Sequence, residues 1–197
     1  MSESSSDNYR VIRRVTLVGS VIDALLSVLK IAVGVIGQSQ ALIVDGIHSA
    51  SDLATDLLVI WAARHAGEKP DERHPYGHQR IETLATMLLA VVLIVIALGF
   101  VYDAVLSLID RNNLKQPGTL VLAAAGLSML AKEGIYHYTL RAAKKINSRL
   151  LHANAWHSRS DAVSSLIVFI GAIGAMLGIE FADAVASVGV ALMIGWV

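Results

Sequence analysis

Cysteine is absent from this chain of 197 residues. Disulfide stapling and thiolate metal sites are therefore excluded, while the redox compartment is left open. Charge is scarce as well: Asp, Glu, Lys and Arg make up 16% of the residues, against about 25% in an ordinary soluble domain. The formal net charge is +0, so whole-molecule attraction to nucleic acid has no support and no nucleic-acid partner is expected. Proline occurs only at Pro70, Pro75 and Pro117, and all three fall between apolar segments rather than inside them.

What remains is apolar. Hydrophobic residues account for 55% of the chain, and the mean hydropathy is +0.60. Apolar segments run over residues 15–37, 41–63, 81–109, 118–140, 155–179 and 182–197. The first five are each long enough to cross about 30 Å of hydrocarbon as helix, at about 1.5 Å per residue. A spanning segment must satisfy every backbone group internally, which selects helices. The expected fold is an all-α membrane protein, a bundle of six transmembrane helices. A helical soluble core is the competing reading, but several segments are too long and too uniformly apolar for it.

Lys and Arg set the orientation. Arg10, Arg13 and Arg14 precede the first span. Arg64, Lys69, Arg73 and Arg80 lie in the second connection. Arg141, Lys144, Lys145 and Arg149 lie in the fourth. The opposite connections have none, or only Arg111 and Lys115. This alternation predicts a cytoplasmic N-terminus. Residues 1–14 are expected to be a short mobile cytoplasmic tail and residues 15–197 the six-helix transmembrane domain. The last segment, of about 16 residues or about 24 Å of helix, falls short of a full crossing. Either it is a short helix or the sequence is truncated before a cytoplasmic portion, and truncation is the favoured expectation.

The stretch ALIVDGIHSASDLATD breaks the apolar pattern with Asp45, His48, Asp52 and Asp56. At 100° per residue, all four fall within about 80° on one helical face. A carboxylate at mid-membrane costs about 2.5–3.5 kcal/mol on insertion scales, so such a stripe must face protein or water and marks a functional site. A polar packing seam is the alternative. In NAWHSRSDAVSS, His157 and Asp161 repeat the four-residue spacing of His48 and Asp52. Each pair presents two side chains one turn apart. Two such pairs on facing helices supply two imidazole nitrogens and two carboxylate oxygens, a tetrahedral set suited to zinc and tolerable for iron(II), cobalt or cadmium. Asp45 is a candidate further ligand or proton carrier, or a hydrated residue near the outer mouth. The loop sequence PDERHPYGHQRIE adds Asp71, His74 and His78, three potential ligands for a second metal site.

These three segments resemble the signatures of the cation diffusion facilitator family, and the resemblance extends over residues 10–197. It implies a six-helix membrane domain with His48, Asp52, His157 and Asp161 as the intramembrane site and Asp71, His74 and His78 as a loop site. It implies a homodimer that exchanges a divalent cation for protons, and a cytoplasmic domain that is expected to be absent or truncated here. His-plus-Asp pairs on both helices resemble zinc-preferring members. The implied mechanism is alternating access, with metal bound from the cytoplasm and displaced outside by protons taken up on the ligands. Direction, cytoplasm to outside, follows from the resemblance and the topology. A bacterial cytoplasmic membrane is the expected location.

Two other classes compete. A membrane metalloenzyme is disfavoured because H-E-x-x-H is missing and four protein ligands leave no open position for water. A non-transporting metal sensor or scaffold would keep the site without the cycle. Among the remaining polar residues, Asp23 and Lys30 are expected to pair with neighbouring helices. Lys132 and Glu133 read similarly, one of them bordering the aqueous cavity. Asp56 either lines the access path or snorkels, and Asp183 is expected to cap the sixth helix. The G-x3-G step in GAIGAMLG suggests close helix packing. His65, His137 and His152 read as unpartnered surface residues.

Overall fold

The structure, a computed structural model, describes residues 3–65, 87, 91–92, 94–102, 104–106 and 117–196. These residues form six helices and, among them, no strand: α1 (Glu3–Ile36), α2 (Gln40–His65), α3 (Ile94–Leu106), α4 (Thr119–Ile146), α5 (Arg149–Met176) and α6 (Ala182–Trp196). Within these helices Arg10–Ile36, Thr119–Ile146 and Leu151–Met176 are long and apolar enough to cross a membrane. α2 has 26 residues, about 39 Å of helix, but carries Asp45, Asp52 and Asp56.

Three tight turns organise the bundle. Between α1 and α2, Gln38 adopts a left-handed φ of 55°, and Ser39 N–H donates back to the Gly34 carbonyl at 2.9 Å. Between α4 and α5 the connection is only Asn147 and Ser148. Asn147 takes φ 51°, a conformation that asparagine tolerates, and the Ser148 hydroxyl caps α5 by accepting from Leu151 N–H at 3.3 Å. Between α5 and α6, Gly178 takes φ +91°, where any side chain would be strained.

α1 packs on α2 and α4, α4 on α5, α5 on α6, and α6 on α2. These neighbours close a ring, and α2 and α5 touch across it. An alanine-rich core fills one half, built from Val33, Leu42, Val44, Val121, Ala125, Val168, Ala172 and Val190, with Ala97 contributed by α3. A smaller cluster of Val15, Ala143 and Leu151 closes the other end.

The distribution of polarity is inverted relative to a soluble protein. Lys30, Asp45, Lys132, Asp161 and a run of serines are buried, whereas Leu17, Val21, Leu25, Val28 and Val35 form an exposed stripe on α1. A water-soluble fold buries that stripe and exposes those charges; here the apolar face suits lipid and the polar face the bundle interior.

Several expectations change. α1 begins at Glu3 rather than at residue 15, because Val11 and Ile12 pack against Val15, Ala143 and Leu151 and extend the helix beyond the apolar run. The fourth connection is correspondingly short, and Arg141, Lys144, Lys145 and Arg149 sit on helix ends rather than in a loop. Asp183 lies in the first turn of α6 but caps α2 instead. Its carboxylate accepts from Gln40 N–H at 2.8 Å, from Ala41 N–H at 3.3 Å and from the Ser39 hydroxyl at 2.5 Å. The expected close packing in GAIGAMLG is made by Gly174, the first glycine of the G-x3-G step, together with Gly171, and not by Gly178. A Cβ on Gly171 would lie 2.5 Å from Ala186 Cβ and one on Gly174 2.8 Å from Ala182 Cβ, whereas Gly178 has open space.

Candidate metal centre

Each half of the site is an i, i+4 pair on an uninterrupted helix. His48 and Asp52 project from the middle of α2, and His157 and Asp161 from the first half of α5. Where the two helices meet across the ring, these side chains converge. His48 Nε2 lies 3.9 Å from Asp52 Oδ2 and 3.9 Å from Asp161 Oδ1. His157 Nε2 lies 3.8 Å from the same Asp52 Oδ2 and 4.0 Å from Asp161 Oδ2.

These separations are too long for hydrogen bonds. They suit donor atoms arranged around a shared centre, since a tetrahedral ion with bonds of about 2.0–2.1 Å sets its ligand atoms roughly 3.3 Å apart. His48, Asp52 and Asp161 can each offer a ligand atom within a sphere of mutual distances no larger than 4.8 Å. Asp52 Oδ2 is buried with no hydrogen-bond partner. An unmatched buried carboxylate oxygen is costly, and a cation placed among these three groups would satisfy it, with His157 near Asp52 and Asp161 but outside the closed set.

Among the described residues, exposure is uneven across the cluster. The His157 side chain is 45% exposed and that of His48 only 7%. A small cavity of about 20 Å³ reaches Asp52 and His157 past Thr16, Gly19, Ser20 and Asp23. It lies toward the end of the bundle that carries Arg10, Arg13, Arg14, Lys144 and Lys145. On the other side of the cluster, among the described residues, lies a layer of polar contacts around Asp45. Lys30 Nζ pairs with Asp45 Oδ2 at 2.8 Å and donates to the Ser49 hydroxyl at 3.0 Å. The Ser164 and Ser165 hydroxyls donate to the two Asp45 oxygens at 2.6 and 2.9 Å. Beyond this layer lies the apolar core.

Asp45 is therefore neither hydrated nor near an open mouth: it is fully buried, with both oxygens engaged by α1 and α5. Asp23 and Lys30 each pair with another helix, Asp23 with Lys132 and Lys30 with Asp45. His137 is not unpartnered, since its Nε2 lies 3.2 Å from Glu133 Oε1. Asp71, His74 and His78 lie outside the described residues, as does the side chain of Asp56.

One contact was not legible in the helical pattern. Lys132 Nζ lies 2.7 Å from Asp161 Oδ2 and 2.7 Å from Asp23 Oδ1, so a lysine from α4 touches the cluster directly. The signal available in the sequence was a pair of intramembrane charges, Asp23 and Lys132, with no opposite charge three or four residues away on the same side of the helix.

The fold and the buried cluster define an integral membrane helical bundle whose interior holds His and Asp side chains that could take up a metal ion. The family model of the cation efflux transmembrane domain matches residues 16–196. The chain belongs to this family, the cation diffusion facilitators. An uncharacterized transporter of Methanocaldococcus jannaschii is 38% identical over 179 residues, covering 91% of this chain and 62% of its own length. The manganese efflux system protein MneP of Bacillus subtilis is 32% identical over 197 residues, covering 96% of this chain and 66% of its own. The magnetosome protein MamM of Magnetospirillum gryphiswaldense is 36% identical over 163 residues, covering 83% and 51%. The chain thus spans between 51% and 66% of the length of these relatives.

Proposed function

We propose that this protein carries a divalent metal cation out of the cytoplasm in exchange for protons, by alternating access to a site made of His48, Asp52, His157 and Asp161. The observation that carries this reading is the convergence of two imidazoles and two carboxylates from α2 and α5, with nitrogen-to-oxygen gaps of 3.8 to 4.0 Å. Family membership supports transport rather than enzymatic turnover.

Two imidazoles with two carboxylates favour zinc and accept iron(II), cobalt or cadmium, whereas manganese prefers an all-oxygen shell. The name of the Bacillus subtilis relative makes manganese the ion to test against zinc. The small cavity beside Asp52 and His157 supports access from the basic end, which faces the cytoplasm if the distribution of Arg and Lys sets the orientation. Six spans, a cytoplasmic N-terminus, a homodimeric state, a bacterial cytoplasmic membrane and a second site at Asp71, His74 and His78 belong to the same proposal.

The test is zinc flux into proteoliposomes under an imposed proton gradient, comparing the protein with Asp52→Ala and Asp161→Ala. Gradient-dependent flux that vanishes in both variants is the expected result. Zinc binding without flux would favour a non-transporting sensor. Flux that survives both substitutions would reject the site.

A further inference from the structure

Lys132 occupies an unusual position for a structural ion pair. It projects from α4, which contributes none of the four proposed ligands, and its side chain is 1% exposed. Its ammonium lies 2.7 Å from each of two carboxylates, donating a hydrogen bond to Asp161 and standing beside Asp23 as an ion pair. One of them, Asp161, belongs to the cluster. The other, Asp23 on α1, is 22% exposed and lines the small cavity together with Asp52 and His157.

The contact with Asp161 bears on metal occupancy through one of its two oxygens, since Oδ1, which faces His48, is not the one that Lys132 holds. Lys132 holds Oδ2, the oxygen that faces His157. An ion bound to that oxygen at about 2.1 Å would stand at most roughly 5 Å from the ammonium. In a site this buried, a divalent ion and a fixed ammonium at such a separation repel strongly. The flexible four-carbon stem of lysine allows the head group to move, and Asp23 already holds its other side.

Charge points the same way. With neutral histidines, Asp23, Asp52 and Asp161 against Lys132 leave three negative charges and one positive, a formal −2. A divalent cation brings this to zero. The neighbouring Lys30–Asp45 pair is already balanced and does not alter the count.

We propose that Lys132 is a tethered counter-cation of the transport site: it neutralises Asp161 when no metal is bound, withdraws onto Asp23 when a divalent cation arrives, and sets the net charge that the cation must match. Lys132 and Asp23 are positioning residues, acting through Asp161 rather than by ligation. This rests on the transport-site reading above.

The experiment is equilibrium binding of Zn²⁺ to the purified protein in detergent, with turnover measured in proteoliposomes. The variants are Lys132→Gln, Asp23→Asn, the double variant and Asp52→Ala. Removing the competing ammonium is expected to tighten Zn²⁺ binding by about tenfold or more while slowing turnover, and Asp23→Asn to weaken binding by about tenfold. The double variant restores the −2 charge and is expected to bind within about threefold of the parent protein. A purely structural lysine predicts the opposite sign, with weaker binding in Lys132→Gln and no recovery in the double variant; that result overturns the proposal. Where Lys132→Gln fails to fold, the charge-balanced double variant decides alone, by retaining or losing affinity. Undiminished binding in Asp52→Ala would instead overturn the transport-site reading. Loss in Asp52→Ala with unchanged affinity across the Lys132 and Asp23 variants overturns the counter-cation alone.

Discussion

Lys30 on α1 and Asp45 on α2 form an ion pair of 2.8 Å in which neither side chain meets solvent. Ser49, Ser164 and Ser165 supply further polar contacts to the two partners. These contacts tie α1, α2 and α5 together beside the His and Asp cluster. Removing one member strands the other charge in the interior, which costs about 3–5 kcal/mol. Lys30→Met and Asp45→Leu should each destabilise the protein by that order, and the double variant by clearly less than either. Thermal unfolding in detergent reads this directly. Asp45→Asn should keep zinc affinity within about threefold, because its oxygens face Lys30 and the serines rather than the cluster.

Proton competition should be visible in binding itself. The imidazoles must be neutral and the carboxylates ionised to take a metal, so affinity falls as pH falls. Zinc binding should therefore weaken progressively as the pH is lowered from about 7.5 to about 5.5. Titration in weak buffer should record proton release between pH 6 and 8. Binding without proton release would contradict the exchange mechanism.

The cap that Asp183 places on α2 makes a separate prediction. The carboxylate satisfies two amides at the start of a helix that carries half the site. Asp183→Ala should cost about 0.5–2 kcal/mol, the range for loss of a cap. Hydrogen exchange at Gln40 and Ala41 should accelerate, while the zinc affinity stays close to that of the parent.

Gly171 tests the α5–α6 interface. A Cβ there would meet Ala186 Cβ at 2.5 Å and the Ala182 carbonyl oxygen at 3.2 Å, so Gly171→Val forces the helices apart. Overpacking of this kind costs about 1–3 kcal/mol. Gly134→Ala on α4 is the control, since its Cβ would meet nothing within 4 Å. A lower unfolding temperature for the first and none for the second is the expected result.

The helical pairs were legible because a four-residue spacing on an apolar helix leaves little freedom in where side chains point. His48 with Asp52 and His157 with Asp161 could therefore be matched from spacing alone, and the all-helical class from the length of the apolar runs. The partners of Asp45, Asp23 and Lys132 were not legible. Each lies on a different helix from its partner, and helical periodicity carries no information about which helices become neighbours. Asp45 shares a face with His48 in the sequence pattern, yet it serves the polar layer rather than the centre. Asp183 looked like a cap for its own helix because capping is usually local, and the structure uses it across 143 positions of chain to cap α2.

Sequence alone determined the solvent and the chemistry on offer. Long apolar segments and sparse charge impose a lipid environment and helices, and the histidines and aspartates supply borderline-metal donors. Tertiary structure decided how the charges balance. Packing α4 against α5 and α1 brought Lys132 between Asp161 and Asp23, and packing α1 against α2 gave Asp45 to Lys30. In a medium of low dielectric a buried charge is defined by its nearest opposite charge, and that neighbour is chosen by helix packing.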